Sequence, residues 1–140
     1  MSISPGLTLR ASAALKIASR GGQNHAVDRQ KIAALWIAEQ ALQLNGYRSL
    51  TKILRGGAPG PEGSTSKLFW SQVDQELAHV ATEVIGPYSQ IAGESAWAPD
   101  DGQWEFYELL ARASGIRAGT SEILRNILAE RVLGLPKEPS

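Results

Sequence analysis

Two glycine-rich breaks constrain this chain more than any other feature: Gly21-Gly22, and the run Gly56-Gly57-Ala58-Pro59-Gly60-Pro61-Glu62-Gly63. Both supply the backbone freedom and the proline stops of loops. Between them, from about Val27 to Leu54, apolar residues recur at helical spacing as Ile32, Leu35, Trp36, Ala38, Leu42, Ile53 and Leu54. Arg29, Lys31, Glu39 and Arg48 fall mostly elsewhere on the wheel, so the segment reads as an amphipathic helix, with Gly46 as the one place where it could divide.

Beyond the second break, Ser64 and Thr65 are residues suited to cap a helix, and Leu68, Phe69, Val73, Leu77, Val80, Ala81 and Val84 give its apolar face as far as Gly86-Pro87. Tyr88 to Gln103 mixes Gly93, Pro99 and Gly102 with acids and reads as an irregular, exposed loop. A short helix follows from Trp104 to about Ala113. Gly115 breaks it, and Gly119-Thr120-Ser121 opens a last helix that runs to about Leu133 before Gly134 and Pro136. On that helix Ile123, Ile127 and Leu128 share a side that must dock on something. No run shows strand alternation. The expected fold is all-α, an antiparallel four-helix bundle. Residues 1–22 are expected to be a partial helix or tail of a preceding segment, 23–136 the bundle and 137–140 a tail.

Composition removes several function classes. The 14 basic and 14 acidic residues balance, so no global field draws in nucleic acid or an anionic membrane. There is no cysteine, which excludes thiol chemistry, disulfides and Cys-ligated zinc. No apolar run approaches the roughly 20 residues of a membrane span. Arg10, Lys16 and Arg20, with no acid before Asp28, superficially suggest an organelle-targeting peptide; a helix cut off from a preceding segment is the plainer reading.

Three constellations carry possible chemistry. Glu76, His79 and Glu83 share a helical face as di-iron ligands do, but the only other histidine, His25, has no glutamate three residues before it, so a solvated face is the plainer reading. Trp36 and Trp70 fall within helices that need core; Trp97 and Trp104 flank the acidic loop as its anchors or as a partner surface. Asp100, Asp101, Glu105 and Glu108 form an acid cluster, for which hydration and a helix dipole suffice.

The segment from Gly119 through Pro136, GTSEILRNILAERVLGLP, is a capped helix start whose hydroxyls and amide hydrogens could meet a polar cofactor. This stretch closely resembles the terminal helix of acyl-CoA dehydrogenases. Arg29-Gln30-Lys31-Ile32-Ala33, Pro61-Glu62-Gly63-Ser64, Lys67-Leu68 and Arg112-Ala113 are similar to the same carboxy-terminal domain in bacterial members, so the resemblance covers Val27 to Pro136.

The resemblance implies a bundle that forms the oligomer core and one wall of the FAD and acyl-CoA sites in a cytoplasmic enzyme. By likeness Gly119, Thr120, Ser121 and Glu122 would lie on FAD, and the backbone amide of Ala118 would bind the thioester carbonyl. No catalytic base is assignable, because the position that is glutamate in many members is Ala118. Glu83 takes the place of the usual glutamine, and the Arg-x-x-Phe-Gly flavin motif is not evident before His25. An amino-terminal helical domain and a β domain, or a partner subunit, would have to complete the enzyme, and the chain alone would be inactive. The alternative is a non-catalytic helical assembly module derived from this domain.

Overall fold

The structure is a computed structural model that describes residues 26–58, 60–93 and 95–137. Those residues are helical, with no strand among them. Helix α1 is Ala26–Leu54 and runs unbroken through Gly46. Helix α2, Glu62–Ile85, lies against every other helix. After the 3-10 turns Gly86–Gln90 and Pro99–Gly102 come α3, Gln103–Ala111, a third 3-10 turn at Arg112–Gly115, and α4, Ser121–Arg131.

The core is the apolar stripe of α2 with what it gathers. Val73, Leu77, Ala78, Val80 and Ala81 are buried against Ile32 and Leu35 of α1 and Trp104, Tyr107 and Ala111 of α3. Ala78, Ala81 and Ala111 are wholly buried, and side chains that small let helix backbones approach closely. The amino-terminal half of α1 and the carboxy-terminal half of α2 hold together through this stripe. An exposed ion pair, Lys31 Nζ to Glu83 Oε2 at 2.6 Å, also links α1 to α2. It is worth at most about 1 kcal/mol, so packing dominates.

Several expectations are corrected. Helix α2 begins at Glu62, with Pro61 in the cap position and no side-chain cap; the amides of Ser64 and Thr65 both donate to the Pro61 carbonyl, at 3.0 and 3.2 Å. Ser64 and Thr65 therefore lie inside the first turn. Trp36 is not core: it is 52% exposed, on a second apolar face of α1 that also carries Ile37, Leu44 and Leu50. On α4 the buried residue is Leu124, while Ile123 is exposed and Ile127 and Leu128 are half-buried.

The loop after α2 is more ordered than its composition suggests. A Cβ on Gly102 would sit 2.2 Å from the Gly93 backbone nitrogen, and its φ is +71°, so only glycine fits where the two ends of the loop touch. Trp104 is buried and donates its Nε1 to Asp100 at 3.0 Å. That assigns the acid cluster: Asp100 holds the tryptophan, and Glu108 pairs with Arg112. Trp97 stays exposed.

Candidate functional site

The sequence-predicted residues meet at one place, the turn that feeds α4. Ala118 has φ +57° and Gly119 φ +101°, two successive left-handed residues that reverse the chain between the third 3-10 turn and α4. Thr120 then becomes extended and caps the helix: its carbonyl accepts from Leu124 at 3.0 Å and its hydroxyl, weakly, from the Ile123 amide at 3.4 Å. Among the described residues the amides of Ala118, Gly119, Thr120 and Ser121 donate to no backbone carbonyl, so the turn presents donors at the positive end of a helix dipole.

Left-handed alanine is costly, because its Cβ crowds the following carbonyl by roughly 1–2 kcal/mol. Ala118→Gly relieves that strain and adds unfolded-chain entropy worth about 0.4–1 kcal/mol. The net expectation is a gain of about 0.5–1 kcal/mol, read in a urea melt; a loss would mean that the Ala118 methyl packs favourably.

Glu122 stands on the first turn of α4 with its carboxyl held below the ordinary value of 4.5, mainly by its own backbone N–H and then by the Thr120 hydroxyl, with a smaller contribution from Arg125. A fixed negative charge here repels phosphate. The turn suits neutral polar edges with N–H and O–H groups better than a pyrophosphate.

Behind the turn lies a buried network that sequence reasoning missed. Asp74 of α2, 2% exposed, accepts from the Tyr107 hydroxyl of α3 and the Ser114 hydroxyl of the third 3-10 turn. Seven residues earlier on α2, Lys67 Nζ donates to the Ser114 carbonyl at 2.6 Å and the Gly119 carbonyl at 3.2 Å. Burial first, and then Arg117, push the Lys67 ammonium below its usual range.

A sequence profile described as the C-terminal domain of acyl-CoA dehydrogenase matches residues 10–133. The chain belongs to the acyl-CoA dehydrogenase family. It is 34% identical over 118 residues to acyl-CoA dehydrogenase IpdE1 of Mycolicibacterium smegmatis, covering 84% of this chain and 28% of the relative. The IpdE1 of Mycobacterium tuberculosis is 34% identical over 113 residues, covering 79% and 27%. The chain thus spans little more than a quarter of those relatives' length. Among solved structures it is similar to the Tcur3481-Tcur3483 steroid ACAD, with TM-score 0.84 and 19% identity over 94% of this chain and 35% of that one. It is also similar to the ChsE4-ChsE5 complex of Mycobacterium tuberculosis, with TM-score 0.77 and 19% identity over 91% and 36%. At that identity the structures establish a shared fold.

The remaining candidates resolve within this acyl-CoA dehydrogenase domain. His79 Nε2 lies 3.6 Å from Glu83, whose carboxyl is held low chiefly by its hydrogen bond from Lys31. Among the described residues no cluster of histidines and acids could hold a metal. No described helix is long and apolar enough to cross a membrane. Residues 1–25, including His25 and the stretch before it where the family's flavin arginine motif would fall, lie outside the described residues.

Proposed function

We propose that this chain supplies the carboxy-terminal bundle of an FAD-dependent acyl-CoA dehydrogenase that removes hydrogen across the Cα–Cβ bond of an acyl-CoA thioester. The observation that carries the reading is the turn itself: the segment resembling the family's terminal helix opens on two left-handed residues, Ala118 and Gly119, whose amides bond to no carbonyl among the described residues. The Ala118 amide would donate to a thioester carbonyl, acidifying the α-proton by stabilising the developing oxyanion. The Thr120 hydroxyl and the free amides of Thr120 and Ser121 fit the neutral polar edge of a flavin. FAD, when bound, accepts the β-hydride.

The base comes from outside these elements. Ala118 has no side chain to take a proton, and Glu122, with its pKa depressed, is a weak base at the wrong end of its range. A second polypeptide or a longer chain supplies it, a reading supported by the paired names of the two structural neighbours. The test is anaerobic addition of straight-chain and steroid acyl-CoA thioesters to the complete flavoprotein. Bleaching of the flavin by one class is expected; a flavin that stays oxidised with every thioester overturns the proposal.

The apolar surface left on α1, with Trp36, Ile37, Leu44, Leu50 and Leu54 all about half or more exposed, fits a bundle that assembles with copies or partners. Sedimentation of the 140-residue chain at micromolar concentration is expected to show dimers or larger species. A strictly monomeric boundary would count against an assembling face.

A further inference from the structure

Lys67 does something a helix-surface lysine does not: one ammonium binds two backbone carbonyls five residues apart, Ser114 at 2.6 Å and Gly119 at 3.2 Å. These carbonyls bracket the segment that contains Ala118. Ser114 is gripped twice from α2, by Lys67 at its carbonyl and by Asp74 at its hydroxyl, two residues two helical turns or about 10 Å apart along the same helix. The near end of the loop is therefore fixed independently of Lys67. Its far end is tied at the Gly119 carbonyl by Lys67, just ahead of the packing of α4 on α2.

The consequence for the turn is geometric. A trans peptide is planar with its C=O and N–H opposed, so a Gly119 carbonyl drawn toward Lys67 sends the Thr120 N–H away from it. The same bond fixes the ψ of Gly119, and with it the direction in which Thr120 leaves to begin α4. Ala118, strained at φ +57° and exposed, relies on its fixed neighbours. Burial and Arg117 both disfavour the charge on Lys67, so the ammonium is kept in place against an electrostatic cost.

We propose that Lys67 is a positioning residue for the flavin and thioester site: by clasping the carbonyls of Ser114 and Gly119 it sets the Ala118–Thr120 turn in its binding geometry. This rests on the reading of that turn as the FAD and acyl-CoA wall. The experiment uses the complete flavoprotein with Lys67→Met, Lys67→Arg and, as a control for a lost α1–α2 ion pair, Lys31→Met. Flavin dissociation constants, KM and kcat with a thioester substrate, and apoprotein melting temperatures are measured for each.

Lys67→Met is expected to weaken flavin binding about tenfold or more and to lower kcat by more than it raises KM, because the charge-assisted contact that holds the Ala118 amide toward the developing oxyanion is gone. Lys67→Arg, whose guanidinium can also span two carbonyls, restores most of both. Lys31→Met lowers melting with flavin affinity unchanged. If Lys67→Met binds flavin and substrate like Lys31→Met, Lys67 is a packing residue and the proposal falls. Should Lys67→Met fail to fold, Lys67→Ala, which also removes the donor, is carried through the same titrations; wild-type flavin and substrate values would equally overturn the proposal. Thr120→Val in the same series separates the two claims. If it also leaves flavin binding untouched, the site reading fails; if it alone weakens flavin, only the Lys67 proposal does.

Discussion

Asp74→Ala is expected to destabilise the fold by about 3–5 kcal/mol. The carboxylate is buried and joins three elements, accepting from Tyr107 and from Ser114, whose side chains are themselves buried. Removing it strands two buried hydroxyls, each costing roughly 1–3 kcal/mol, and opens a small void besides. For a domain of this size that corresponds to a fall in melting temperature of about 10 °C or more.

The mechanism makes a sharper claim than the magnitude. Tyr107→Phe or Ser114→Ala alone removes one donor and leaves Asp74 with the other, so each is expected to cost only about 1–2 kcal/mol. Combining both with Asp74→Ala removes the orphaned hydroxyls and recovers part of the loss. A triple variant no more stable than Asp74→Ala would assign the cost to the void instead. Urea melts of the four proteins distinguish the cases.

Thr120→Val in the complete enzyme is expected to raise the flavin dissociation constant about fivefold to a hundredfold, since a methyl leaves a polar cofactor atom without its partner at a cost of roughly 1–3 kcal/mol. The change also removes the cap of α4, about 1 kcal/mol of stability. Thr120→Ser keeps the hydroxyl and is expected to retain both. Ser64→Ala, which in sequence resembles an equivalent cap, is expected to be nearly silent because Ser64 lies within the first turn of α2 rather than ahead of it. Fluorescence titration of the apoenzymes gives the ratios. Equal affinity for wild type and Thr120→Val would leave Thr120 a helix cap alone.

Helix identity was legible wherever an apolar stripe met a glycine or proline stop, as at Gly86 and at Gly119-Thr120. Boundaries slipped where no side chain capped the helix: the Pro61 carbonyl takes the amides of Ser64 and Thr65, so Ser64 lies inside the first turn and has no end to cap. Trp36 misled because α1 carries apolar residues on two faces, and spacing alone does not say which one a monomer buries. The candidate turn was picked out by family resemblance, and its left-handed Ala118 was not legible, since alanine gives no hint of positive φ.

The buried network left a signal that could have been used. Asp74 falls in line with Trp70, Leu77 and Ala81 on the stripe of α2, an acid where a core residue belongs. Buried acids are paired, and hydroxyls at Tyr107 and Ser114 were available, but their partnership spans three elements and needs the tertiary structure. Lys67 was visible only as part of a family motif; its two carbonyl partners become neighbours only when α2 meets the turn before α4.

The claim that this turn is the flavin wall is tested most directly by amide hydrogen exchange of the complete enzyme, with and without FAD. Ala118, Gly119, Thr120 and Ser121 present amides that bond to no carbonyl among the described residues and so are expected to exchange quickly in the apoprotein. FAD is expected to slow exchange there by about tenfold or more, with the far end of α1 unchanged. Flavin binding that slows other segments and leaves residues 118–121 as fast as before would contradict the account.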